Sequence, residues 1–302
     1  MFSPQAASQA VMQLERALGV RLFHRTTRKL TLTDEGQRLL EQAAPALSQL
    51  VAALDEVRRS GHEDSGLLRV SAPSALGRAV LWPYMLEFSA AHPGIQLDVQ
   101  FDDHLTDLVS QRADVGFRGG IAPAGGTIGR RLLPIQLIVC AAPDYLERHG
   151  APRSVDDLAH HRCTGYRRAN TGKVAPWEFV VGGETVYRDF PATLCSNDLD
   201  AEVEAVLTGG AIGQLGSFSA VPHIRAGRLV PLLLDHVSER DALYIYYRRR
   251  TEQPQRVRAF IDFMVERLAN NSRFYLDRTE LTQAAGGSRR KTATAPGGRA
   301  AR

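Results

Sequence analysis

Apolar residues recur along this chain in two different rhythms. Between residues 34 and 60, Leu40, Ala43, Leu47, Leu50, Leu54 and Val57 follow one another at intervals of 3, 4, 3, 4 and 3. That spacing predicts one long helix whose seam pairs with another helix. Thr33 is placed to cap it, and Asp34 and Glu35 fall in the first turn, where carboxylates suit the positive end of the helix dipole. Pro45 lies inside and lacks an N–H, which predicts a kink. Such a seam can pack within its own domain. Because the segments on either side read as separate domains, pairing with a second chain is the expectation.

From 66 to 269 the rhythm alternates. Leu67–Ser71 reads as a short apolar strand, Gly77–His92 as a helix stopped by Pro93-Gly94, and Ile95–Phe101 as a strand with Ile95, Leu97, Val99 and Phe101 on one face. Asp114–Phe117, Leu137–Ala141 and Ala242–Arg248 are further strands. Trp177–Val181 and Glu184–Tyr187 flank Gly182-Gly183, a hairpin signal. A helix over Asn197–Thr208 stops at Gly209-Gly210, and a last one from Pro254 buries Val257, Phe260, Ile261, Met264 and Leu268. Strands alternating with helices predict an α/β domain with a largely parallel sheet, or two such sheets.

Residues 1–33 are different again. Ser3-Pro4 is a helix start with Pro at the first helical position, and the helix runs to Leu18-Gly19. One face carries Ala7, Val11, Leu14 and Leu18. The other offers Gln5, Ser8, Gln9 and Gln13, polar groups able to read base edges in a major groove. Two strand-like pieces then flank a polar tip in which Arg25, Arg28 and Lys29 supply charge suited to phosphates. The residues alone fit a DNA-reading helix and wing, and they also fit a solvated helix and hairpin.

Composition narrows the classes. The 302 residues are 44% hydrophobic and 23% charged, ordinary globular values. There is no run of 18 apolar residues to cross a membrane and no secretory start, so a cytoplasmic protein is expected. Cys140, Cys163 and Cys195 are odd in number and far apart, which excludes a disulfide framework or a CxxC knuckle and makes buried roles the default. Residues 1–60 hold 8 Lys/Arg against 6 Asp/Glu, residues 61–280 hold 24 against 27, and residues 281–302 hold 5 against none. Basic ends on a mildly acidic body point to a polyanion partner for the ends only. Residues 270–302 are predicted to be a disordered basic tail, their composition from Ala284 onward being unable to bury a core.

The ordered run Ser3-Pro4-Gln5-Ala6-Ala7-Ser8-Gln9-Ala10-Val11, then Leu14-Glu15, then Leu18-Gly19-Val20-Arg21-Leu22-Phe23-His24-Arg25-Thr26-Thr27-Arg28, then Leu32-Thr33-Asp34-Glu35-Gly36, resembles the winged helix-turn-helix of LysR-type transcriptional regulators. The similarity continues through Leu68–Pro73, Phe88–Pro93, Asp114–Arg118, Ala141–Leu146 and Gly227–Leu232, in the family order, and covers nearly everything up to about residue 269. Family members carry further residues ahead of the Ser-Pro helix, which form the first two helices of the DNA-binding domain. The resemblance therefore implies an N-terminally truncated motif, through a start codon lying upstream or a shortened product with weak DNA binding.

The resemblance implies a partial winged helix-turn-helix at 1–33, a linker and dimerisation helix at 34–62, and an effector-binding domain at 66–269. That domain resembles the two-lobed periplasmic binding protein fold, with lobe one at 66–138 plus 243–269 and lobe two at 143–236. It implies a homo-dimer or homo-tetramer on double-stranded promoter DNA, answering to a small effector. Two helix starts should face the cleft between lobes, one with Ser71 and Ser74 and one with Ser196 and Asn197; Arg118 sits at a third strand end. Helix N-termini favour a carboxylate, so an effector with one carboxylate and an apolar body is expected, although Asp198 and Asp200 count against a strongly anionic one. The same serines and asparagine can equally be simple helix caps. No catalytic residues, metal ligands or cofactor are expected: no GxSxG, HExxH or Walker pattern occurs. His160-His161 diverge on a helix and instead end a short Val155–Ala159 helix. The alternative function is a stand-alone small-molecule binding protein that has lost DNA binding by truncation.

Overall fold

Helix α1 (Pro4–Leu18) opens the computed structural model and ends at Gly19, whose φ of +71° is the left-handed geometry glycine supplies at helix ends. The structure describes residues 4–25, 30–60, 65–104, 113–120, 127–248, 253–269 and 271–292. The chain divides into two units, Met1–His62 and Glu63–Arg302.

In the first unit, strands β1 (Phe23–Arg25) and β2 (Leu30–Leu32) pair antiparallel, and helix α2 (Asp34–Ser60) follows. One residue ties these pieces. The Thr33 hydroxyl accepts the Gly36 N–H at 3.0 Å and donates to the Arg21 carbonyl at 2.7 Å, so the expected N-cap also anchors the hairpin. Gly36 has to be glycine, since a Cβ there would fall 2.1 Å from the Leu22 carbonyl oxygen. The Glu15 carboxylate accepts the Leu22 and Phe23 N–H groups at 2.8 and 3.2 Å, joining α1 to the wing.

The second unit is built on a mixed seven-stranded sheet of β3 (Gly66–Ala72), β4 (Ile95–Phe101), β5 (Val115–Gly120), β6 (Thr127–Ala141), β11 (Gly213–Gly216), β12 (Val230–Leu232) and β13 (Ser238–Arg248). The order is β11-β6-β13-β5-β3-β4, with β12 also on β6. Strand β3 runs parallel to β4 and β5, whereas β13 runs antiparallel to β5 and β6. The expectation of a largely parallel sheet is thus corrected. Two long strands, β6 and β13, run in opposite directions, and Pro134 inside β6 had hidden the first half of that 15-residue strand from the pattern.

A helical stretch covers one face of this sheet: α3 (Ser74–Leu76), a π-helical turn at Gly77–Leu81 and α4 (Trp82–Ala91). Helix α5 (Pro143–His149) follows β6. A parallel pair, β7 (Cys163–Tyr166) with β10 (Ala192–Ser196), and a hairpin, β8 (Trp177–Val181) with β9 (Glu184–Arg188), complete the strands. Gly182 and Gly183, both at positive φ, make the hairpin turn. Helices α6 (Leu199–Leu207), α7 (Ser217–Arg225), α8 (Gln255–Leu268) and α9 (Arg278–Thr292) fill the rest.

Period-two alternation builds separate cores. Leu68, Val70, Val115, Phe117, Leu243 and Ile245 face one cluster with Phe88 and Phe260 from α4 and α8. Ile138, Cys140, Val206, Val221 and Ile224 form a second, and Val139, Tyr145, Leu158, Trp177 and Phe179 a third. Along β6, Leu133 and Ile135 belong to the first core and Ile138 to the second, so the strand passes from one lobe's core to the other's at Gln136–Leu137. The expectation of disorder from residue 270 is corrected for 271–292. Phe274, Leu276 and Leu281 are buried and α9 is helical, the burial resting on three apolar residues too widely spaced to register as a pattern.

Candidate functional site

Helix α1 presents Ser8, Gln9 and Gln13 to solvent. Together with position 5 they fall at i, i+3, i+4 and i+8, one side of a helix. The side chains of Gln5 and Arg25, and Arg28 and Lys29 altogether, lie outside the described residues. On the opposite side, Val11 is half-buried and Leu14 and Leu18 are exposed. The polar face is therefore exposed, and the apolar face is only partly covered by the described residues.

In the second unit the two predicted helix starts do meet. Arg78, one turn into the α3–α4 stretch, places its guanidinium 2.5 Å from the Asp200 carboxylate in the first turn of α6, across 122 positions of sequence. Each helix start is closed by a carboxylate of the protein. Ser74 N–H donates to Asp103 Oδ1 at 2.9 Å, and Asp198 Oδ1 accepts the Asp200 and Ala201 N–H groups at 2.8 and 3.2 Å. Helix α6 begins at Leu199, so Asp198 is its cap and neither Ser196 nor Asn197 is. The Ser196 hydroxyl instead accepts the Asp198 N–H at 3.0 Å, and Asn197 is exposed. One free N–H at the first start and two at the second, which argued for a ligand carboxylate, are thus already engaged.

Ser71 and Arg118 are brought together on the sheet face opposite the α4–α8 core. Arg118 is buried and donates through Nη2 to Ser71 Oγ at 3.3 Å and to the His104 carbonyl at 3.2 Å, and through Nη1 to the Phe117 carbonyl at 2.7 Å. Its Nε meets no acceptor among the described residues, and its guanidinium lies 5.8 Å from the centre of the Tyr246 ring. The acceptors it has are neutral, and the nearby Asp102 carboxylate supplies negative charge to the guanidinium. The turn it holds also carries Asp102, whose carboxyl is held below the usual range chiefly by the His104 N–H it accepts.

Sequence reasoning missed Arg78, Asp103 and a buried pair behind them. Thr164 donates its hydroxyl to Glu202 at 2.6 Å, and both are buried. Burial pushes the Glu202 carboxyl above its ordinary range, and the Thr164 hydrogen bond opposes the shift. Burial also raises the Tyr166 phenol, with Asp103, Glu202 and Asp198 adding to the shift and Arg168 opposing it. No local signal could have joined these residues; long-range packing does.

Among the described residues no three His, Cys, Asp or Glu side chains form a metal-holding group. The short helix near residue 155 is a 3-10 turn at Asp156–His160, and His161 Nδ1 lies 3.2 Å from the Tyr145 hydroxyl. Cys140 and Cys163 are buried, the latter with its thiol pushed up to about 11 by desolvation. Cys195 is exposed, 3.4 Å from Arg167 Nη2, which corrects its expected burial: β10 pairs on one side only, with β7. No described helix is long and apolar enough to cross a membrane.

Comparison with known proteins bears on both units. Residues 2–37 match the model of bacterial regulatory helix-turn-helix proteins of the lysR family, and residues 61–269 match the LysR substrate binding domain. The chain is 34% identical over 263 residues to the uncharacterized HTH-type transcriptional regulator YcaN of Escherichia coli, covering 87% of this chain and 86% of that one. It is 31% identical over 268 residues to the regulator CrgA of Neisseria meningitidis, covering 88% of each. Solved structures agree. CrgA superposes with a TM-score of 0.62 at 29% identity, covering 89% of this chain and 91% of that one. The Vibrio cholerae virulence activator AphB superposes with a TM-score of 0.63 at 28% identity, covering 88% and 90%.

Proposed function

This chain belongs to the LysR family of bacterial transcriptional regulators, a DNA-binding unit joined to an effector-binding domain, and on that premise we propose which of its residues do the work. The match over residues 2–37 favours a regulator over a stand-alone binding protein. Helix α1 reads base edges through Gln5, Ser8, Gln9 and Gln13, while Arg25, Arg28 and Lys29 on the wing hold phosphates. Helix α2 pairs two copies through Leu40, Leu47 and Leu50, which are exposed. The protein works in the cytoplasm, without catalysis of its own.

The effector enters between the lobes, where the starts of the α3–α4 stretch and α6 face one another. The observation that supports this reading is the Arg78–Asp200 contact, which brings the two helix starts near one another. Asp103 takes one helix-start N–H and Asp198 takes two, and with these carboxylates in place an effector addresses those helix starts with hydrogen-bond donors. Any carboxylate it bears is matched by Arg118, beside Ser71, the buried cation with an unused donor. Ser74, Ser196 and Asn197 complete the contacts. The test is a thermal-shift screen of the full chain against small amines, amino acids and carboxylic acids. A stabilising compound should lose affinity in Asn197→Ala and Arg118→Gln. Unchanged binding in both variants overturns the assignment.

A further inference from the structure

The two lobes of the second unit are joined by β6 and β13, and a third piece of chain crosses beside them. After α8, whose Val257, Phe260, Met264 and Leu268 lie in the lobe-one core, Phe274 still packs there. Two residues on, Leu276 lies in the lobe-two core, followed by Leu281. The crossing is thus complete between Phe274 and Leu276, at the level where β6 changes cores at Gln136.

Gln136 is fully buried at that level and binds this third crossing as a strand would. Its Nε2 donates to the Leu276 carbonyl at 2.9 Å, and its Oε1 accepts the Leu276 N–H at 3.0 Å. The same Nε2 donates to Glu239 of β13 at 2.9 Å, and the Tyr275 hydroxyl donates to that carboxylate at 3.0 Å. The Gln136 N–H donates to Ser217 Oγ at 3.1 Å, at the start of α7. One side chain therefore links β6, β13 and the C-terminal segment where all three pass from lobe to lobe.

Each end of the segment is tied to a different lobe. On the lobe-one side, Asn271 Nδ2 donates to the Tyr84 hydroxyl of α4 at 2.7 Å. On the lobe-two side, Arg225 of α7 donates to the Arg273 and Tyr275 carbonyls at 2.9 and 3.1 Å and pairs with Glu280 at 3.0 Å. Two adjacent strands form a hinge that bends through a few backbone torsions. A third tie at the same level, made by side chains, has to slide or break for such a bend.

We propose that residues 271–281 are a brace across the lobe hinge, locked by Gln136 and Arg225, which holds the lobes at the opening seen here and sets the resistance an effector must overcome to move them. A ligand shifts a two-state equilibrium only by its differential affinity for the states, so the brace fixes how much of that affinity is consumed. The proposal concerns the ligand-free protein and does not depend on which residues hold the effector.

The experiment is pulsed electron-electron resonance on the full chain, with spin labels at Ser89→Cys in lobe one and Glu184→Cys in lobe two, in a Cys195→Ser background diluted with unlabelled protein. The parent should show one narrow distance distribution. Gln136→Leu and Arg225→Gln should each broaden it about twofold or shift its mean, as expected for a released hinge. Arg267→Gln, which breaks a lobe-one pair with Glu87 away from the crossing, should leave it unchanged. Should Gln136→Leu fail to fold, Arg225→Gln and Tyr275→Phe decide the matter. Distributions that superpose on the parent in the folded brace variants overturn the proposal, as does an equal broadening in Arg267→Gln.

Discussion

The two units differ in how they treat their apolar residues. In the second, Phe88, Phe117, Phe179 and Phe260 are fully buried and the strands feed continuous cores. In the first, Leu22 is the buried large side chain among those described, while Leu18, Leu40, Leu47 and Leu50 are 49, 52, 59 and 56% exposed. A helix of 27 residues cannot stay amphipathic at such exposure without something to pair with. The contrast is one of proportion: the second unit exposes Trp82, Leu86 and Leu194 but buries large continuous cores, whereas the described part of the first leaves most of its large apolar side chains uncovered, as the proposed pairing along α2 requires.

The largest effect should come from breaking assembly. Leu47→Lys with Leu50→Lys sets like charges against each other in a paired seam, and sedimentation should show the oligomer replaced by a smaller species. An unchanged sedimentation coefficient would mean that the seam packs within one chain. Next in size, Phe260→Ala empties the contact between α8, Phe88 and Phe117. It should cost about 3–5 kcal/mol in denaturant unfolding of the effector domain. The same loss spread over both units would break the distinction drawn between them.

Much of the fold was legible in the sequence because it rests on local rules. The Leu40–Val57 spacing, the Thr33 cap, the Gly182-Gly183 turn and the alternation over Ile95–Phe101 each fix an element without distant help. The site was less legible. Ser74 was found as a helix start, whereas α6 begins two residues after Asn197, and the residues closing the two starts, Asp103 and Asp198, differ in how they could be seen. Asp198 sits one residue before its helix, whereas Asp103 reaches Ser74 across 29 positions. The Gln136–Leu276 clamp spans 140. Long-range pairs of polar residues leave no periodic trace.

Smaller effects sharpen the picture. Thr33→Ala removes the bond that caps α2 and the one that anchors the wing, and should cost about 1 kcal/mol or slightly more, measured on the first unit's transition. Glu202→Gln addresses linkage. The folded-state pKa of Glu202 is raised, so its ionisation disfavours folding. That contribution to stability is full below the ordinary carboxylate range and is lost as pH climbs through the raised value. The parent's melting temperature should therefore fall relative to Glu202→Gln across that window, with parallel curves above it. Parallel curves throughout would show that burial does not perturb the carboxyl.

The most direct test of a regulator that reads DNA with α1 is the salt dependence of binding by the full chain to a duplex selected from a random pool. Log affinity should fall linearly with log salt. Gln9→Ala should erode the preference for the selected duplex over a scrambled one while keeping the slope, and Arg28→Ala should weaken both equally and lower the slope by about one. Affinity that is insensitive to salt, or a selected-duplex preference untouched by Gln9→Ala, would contradict the account.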